Sequence, residues 1–120
     1  MHALIIESDT WVVLAIEDAL TDMGYTSFDC ATSATDAERL ARDHCPDLIT
    51  SAIHIGQECG FAAVRSARAR RCIPFVFVTA TSWEASVQDR RITVVQKPFS
   101  AQALMRAVRA AVSSPMPASW

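Results

Sequence analysis

Glycine is scarce, with three in 120 residues, and neither GxGxxG nor GxxxxGK[ST] follows the first apolar run. Dinucleotide binding and P-loop nucleotide binding are therefore unsupported, because both need glycines where the backbone meets a phosphate. The four cysteines, Cys30, Cys45, Cys59 and Cys72, form no CxxC pair and match no zinc-finger spacing. They read as reduced thiols. His2, His44 and His54 make no HExxH or other ligand spacing, so no metal site and no cofactor are expected. Charge of either sign is not in excess: 13 acidic and 11 basic side chains leave a net charge of −2. A nucleic-acid module normally carries a marked basic surplus, so no direct nucleic-acid contact is expected. No apolar run reaches the length of a membrane span. The opening Met1-His2-Ala3-Leu4-Ile5-Ile6-Glu7 meets an acid too soon for a secretion signal. The expected setting is the cytoplasm, without membrane contact.

Apolar material is plentiful at 51% of residues, enough for one core in a chain of this length. It is grouped into short runs: Ala3 to Ile6, Tyr25 to Cys30, Leu48 to Ile49, Phe75 to Val78 and Ile92 to Val95. A helical pattern follows each. The first helix is expected from Trp11 to Met23, with Val13, Ile16, Leu20 and Met23 on one face and Gly24 as its stop. The second follows Ser33 as cap, turns Ala37, Leu40 and Ala41 inward, and ends before Pro46. The third begins near Gly60 or Phe61, with Val64 inward and Arg65, Arg68, Arg70 and Arg71 outward. A fourth, around Trp83 to Asp89, is short. The fifth is capped by Ser100 and carries Leu104, Met105, Val108 and Val112 as its stripe. No linker, repeat or second domain is visible. Residues 1–113 form the expected domain, and 114–120 a flexible tail in which Trp120 has no assigned role.

Strands alternating with helices imply βαβ units, a parallel sheet and right-handed crossovers. The expected fold is α/β: a doubly wound, flavodoxin-like three-layer sandwich with five parallel strands in the order 2-1-3-4-5 and a shortened fourth helix. In such sheets functional residues gather beyond the carboxyl ends of the strands. Those ends are Glu7, Ser8 and Asp9; Ala52 to Gly60; Thr79 to Thr81; and Gln96 to Phe99.

At these four places the chain resembles the receiver domain of bacterial two-component response regulators. The resemblance rests on Leu4-Ile5-Ile6-Glu7-Ser8-Asp9, Pro46-Asp47-Leu48-Ile49-Thr50-Ser51-Ala52 with the following Gly60, Val78-Thr79-Ala80, and Lys97-Pro98-Phe99. It implies a phosphorylation pocket made of Glu7, Ser8, Asp9, Ala52, Thr79, Lys97 and Pro98. It also implies that the pocket is degenerate. Ser8 stands where the family has a magnesium-binding acid, and Ala52 where it has the phospho-accepting aspartate. Alanine offers no nucleophile. Glu7 and Asp9 alone are thin ligation for a hard divalent cation. Lys97, deprived of that aspartate, is expected to reach Glu7 or turn to solvent, since a buried lone ammonium is costly.

The resemblance further implies signalling by protein contact. Val94 replaces the aromatic that in the family moves with the residue at Thr79, so that relay is not expected. Trp83, Val94, Arg106 and Arg109 are candidate interface residues, while the other arginines read as solvated helix faces. The function so expected is that of an atypical receiver, a binding module and not an enzyme. Its partners would be a histidine kinase, a phosphotransfer protein or an effector, or a second copy in a homodimer. The alternatives are a phosphorelay receiver modified at a substitute residue and a small flavodoxin-like enzyme or ligand-binding domain.

Overall fold

The computed structural model describes residues 1–80, 91–117 and 120. Its elements run β1 (His2–Ile6), α1 (Thr10–Asp22), β2 (Ser27–Ala31), α2 (Ala34–Asp43), β3 (Leu48–Ala52), β4 (His54–Ile55), β5 (Glu58–Cys59), α3 (Gly60–Ala67), β6 (Phe75–Thr79), β7 (Val94–Gln96) and α4 (Ala101–Ser113). Five parallel strands form one sheet in the order β2-β1-β3-β6-β7. This is the expected doubly wound topology. A two-stranded antiparallel hairpin, β4–β5, is added between β3 and α3.

Alternation along the strands divides the apolar side chains between two cores. Leu4, Ile6, Ile49, Phe75 and Phe77 face α2 and α3, meeting Ala37, Ala41, Ala63 and Val64. Ala3, Ile5, Leu48, Val76 and Val78 face α1 and α4, meeting Ile16, Leu20, Leu104 and Val108. The strands are buried on both faces, which is why they read as unbroken apolar runs and not as alternating ones.

Caps fix the helix starts. Ser33 Oγ accepts from Asp36 N at 3.1 Å and Ser100 Oγ from Ala103 N at 3.0 Å, as the sequence leads one to expect. Gly24 follows α1 with φ of +98°, a conformation closed to most L-residues. The first helix starts one residue earlier than expected because Asp9 caps it, its Oδ1 accepting from Trp11 N at 2.9 Å and Val12 N at 3.4 Å.

One expectation is corrected. Arg68 does not point outward: it is 2% exposed. Its Nε donates to Ile73 O at 3.1 Å, Nη1 to Pro117 O at 3.0 Å and Nη2 to Met116 O at 2.6 Å. The tail, correspondingly, does not stand free where it is described. Met116 is 6% exposed within the α2–α3 core, and the Trp120 ring stacks on Phe75 with centroids 4.7 Å apart. The carbonyls of Met116 and Pro117 offer acceptors that a buried guanidinium must find. The expected short fourth helix falls at Trp83–Asp89, outside the described residues.

Among the described residues no helix is long and apolar enough to cross a membrane.

Candidate functional site at the carboxyl ends of the strands

Four parallel strands deliver the site residues to one end of the sheet. Glu7 directly follows β1, Ala52 ends β3, Thr79 ends β6 and Lys97 directly follows β7. The registers Ile6↔Ser51, Ala52↔Val78 and Thr79↔Gln96 place these ends side by side. Lys97 N donates to Thr79 O at 2.6 Å, which ties the last strand end to its neighbour.

Glu7 is the electrostatic centre. It is 5% exposed, and both its carboxylate oxygens are engaged. Oε1 accepts from Lys97 Nζ at 3.0 Å. Oε2 accepts from Ser8 N and Asp9 N, each at 3.1 Å. A carboxylate taken from water survives only with such partners. Lys97 therefore takes the first of the two courses expected of it and reaches Glu7. The pair is not sealed, since the Lys97 side chain keeps 20% of its exposure.

The remaining positions differ in burial. Ala52 is 6% exposed and packs in the α2–α3 core. Thr79 is buried, Ser8 and Pro98 are exposed, and the Lys97–Pro98 peptide bond is cis. Ser51, beside Ala52, is 1% exposed and donates its hydroxyl to Ala52 O at 2.8 Å. Thr50 is fully buried deeper in the same strand.

A receiver-type magnesium ion does not fit this donor set. Glu7 spends its oxygens on an ammonium and two amides, and Asp9 holds the start of α1. Ser8 offers at most a hydroxyl. A hard cation that demands near-octahedral oxygen ligation finds no free carboxylate pair among the described residues here. Among the described residues no group of three or more His, Cys, Asp or Glu side chains could hold a metal ion.

Two features of the site go beyond the sequence reading, the packing of Gly60 and a hairpin. Gly60 approaches β3 so closely that a Cβ there would collide with Ala52 O, and its N–H donates to Ile53 O at 2.7 Å. The β4–β5 hairpin carries the exposed His54 and sends Glu58 Oε2 to Ala34 N at 3.1 Å, fastening the loop to the start of α2. Only Gly60 left a signal, as one of three glycines immediately before a helical pattern.

Val94 pairs with Phe77 and is half-buried against the α2–α3 core. Arg106 and Arg109 are exposed on α4, while Trp83 lies outside the described residues. The sequence reading did not single out Trp11, which is 81% exposed, or Leu14, which is 46% exposed, on the first turns of α1.

Comparison with known proteins matches residues 3–109 to the response regulator receiver domain. The transcriptional regulatory protein PdtaR of Mycobacterium tuberculosis is 29% identical over 116 residues, covering 93% of this chain but 57% of that protein. The chain thus spans little more than half the length of that relative. Among solved structures, the receiver domain of PhyR from Erythrobacter litoralis superposes with a TM-score of 0.82 at 24% identity, covering 97% of this chain and 95% of the other. A response regulator receiver protein from Sinorhizobium medicae gives a TM-score of 0.78 at 22% identity, with 95% of each chain covered. At these identities the superpositions speak for the fold alone.

Proposed function

Because the chain belongs to the response regulator receiver family, a family of two-component signalling domains, we propose that it is a receiver that signals by protein contact without taking up phosphate. The observation that carries this reading is the methyl group of Ala52 at the end of β3, buried beside a Glu7–Lys97 ion pair. Acyl phosphate formation needs a carboxylate to attack phosphorus, and no group at position 52 can do so. The lysine that would stabilise a phosphoryl group is instead engaged by Glu7 at 3.0 Å. The pair holds the strand ends in one state.

Substitution by a neighbour finds little support. Ser51 and Thr50 are buried, and the exposed His54 sits on a hairpin with no positioned base described beside it. Catalysis of another kind is equally unsupported at this end of the sheet. A cleft of about 200 Å³ lies elsewhere, between α2 and α3, lined by Arg42, Cys45, Arg70 and Ile73 among others. Binding is the reading left, and the exposed Trp11 and Leu14 beside Asp9 give it an apolar surface. The partner is a protein of the same signalling system: a histidine kinase, a phosphotransfer protein, an effector or a second copy of the chain.

Incubation with acetyl phosphate and Mg²⁺, followed by intact-mass measurement, tests the proposal. The expected spectrum shows the unmodified chain alone. A stoichiometric, base-labile phosphoryl adduct that changes partner affinity would end it.

A further inference from the structure

The C-terminal segment lies against α3 and β6 as a bound peptide would. The Trp120 ring stacks on Phe75 at 4.7 Å with an interplanar angle of 28°, and lies 6.5 Å from Phe61 and 6.4 Å from Phe77. The Arg65 guanidinium stands 4.7 Å from the centre of the same ring. The tryptophan is clamped between an aromatic floor and a cation, yet it stays partly exposed.

Beneath the segment lies a buried charge. Arg68 is almost fully buried, and its three hydrogen bonds among the described residues end on neutral carbonyls, two of them belonging to the segment itself. Among the described residues no carboxylate pairs with it. Burial lowers its pKa from the ordinary guanidinium value, with the nearby Cys72 acting in the opposite direction.

We propose that Phe61, Phe75, Phe77, Arg65 and Arg68 form a peptide-binding socket closed in cis by Met116, Pro117 and Trp120, and that its exchange ligand is an acidic, aromatic-bearing segment of a partner protein. The partner's ring takes the place of Trp120 on Phe75. Its carboxylate supplies Arg68 with the charge-assisted bonds that carbonyls cannot match. The cis segment has the advantage of high effective concentration, so only a ligand with this added charge displaces it. The socket is distinct from the strand-end site, and its standing does not depend on whether position 52 takes phosphate.

The test uses the full chain, wild type and Trp120→Ala, titrated calorimetrically with a capped synthetic peptide, Asp-Ser-Trp-Asp-Asp. Opening the socket is expected to raise affinity about tenfold over wild type. Replacing the peptide's Asp residues with Asn is expected to cost about tenfold, and adding Arg65→Ala a further loss of several-fold. Absence of binding to Trp120→Ala overturns the proposal. So does equal affinity for both chains, or equal affinity for the Asn peptide. Loss of the fold in Trp120→Ala overturns it as well, since Trp120 would then be core and not a displaceable ligand.

Discussion

Gly60 is packed against the backbone of Ala52: a Cβ at position 60 would collide with the Ala52 carbonyl oxygen and lie 2.9 Å from that of Ile53. Both obstacles are main chain at the end of a central strand, so neither can swing aside. Gly60→Ala is expected to destabilise the domain by at least about 2 kcal/mol, the scale of overpacking in a rigid interior. Urea unfolding measures this directly. A loss under about 0.5 kcal/mol, the range of neutral surface changes, would mean that α3 can retreat from β3.

The Glu7–Lys97 pair predicts a coupling energy. Lys97 is the only lysine of the chain, and its removal leaves one oxygen of a 5%-exposed carboxylate without its partner. Lys97→Met is expected to cost about 1–3 kcal/mol, below the figure for a fully buried pair because the ammonium retains contact with water. Adding Glu7→Gln should recover part of that loss, since the amide has no charge to leave stranded. A double-mutant cycle that returns no coupling would show that the pair neither stabilises nor fixes the strand ends.

The limits of what could be read in advance follow from where each signal lives. Strands buried on both faces announce themselves as apolar runs, and caps at Ser33 and Ser100 precede clear helical stripes, so the topology was legible. The Glu7–Lys97 contact was legible for an electrostatic reason, because an unpaired buried ammonium must find an anion. Arg68 was misread through its charge. It stands four residues after Val64 and seven after Phe61, on the apolar stripe of α3, and its position carried the correct answer while its residue type argued against it. The packing of Met116 and Trp120 was not legible, since the segment between Ser114 and Trp120 has no periodicity. Asp9 reads in the sequence as a weak metal candidate, and in the structure it caps α1.

Restoring two carboxylates should restore cation binding. In Ser8→Asp/Ala52→Asp, acids stand at the ends of both β1 and β3, next to Glu7, and Lys97 gains a second anion to which it can turn. Mg²⁺ binding in the millimolar range or tighter is expected for the double variant and none for wild type, read by isothermal titration. The single Ala52→Asp chain should bind less well than the double, because Asp9 stays committed to its helix. Mg²⁺ binding by wild type as tight as by the double variant would refute the account of the donor set.

Alkaline pH provides a last test, centred on Tyr25. Its side chain is buried just before β2, and burial, then the nearby Asp47 carboxylate, push its pKa above the ordinary 10.0. The folded chain thus favours the neutral phenol more than the unfolded chain does. This contribution is fully present below about pH 10, where both states are neutral, and is lost as pH rises through the elevated folded value. The Cys30 thiol acts in the same direction from a lower starting point, since burial and the Glu17 and Asp29 carboxylates raise its pKa from 9.0. In a Cys30→Ser background, Tyr25→Phe should therefore flatten the fall of the urea midpoint above about pH 10 and leave its pH dependence below about pH 9 unchanged. Identical slopes with and without the phenol would show that Tyr25 ionises as readily in the folded chain as in the unfolded one.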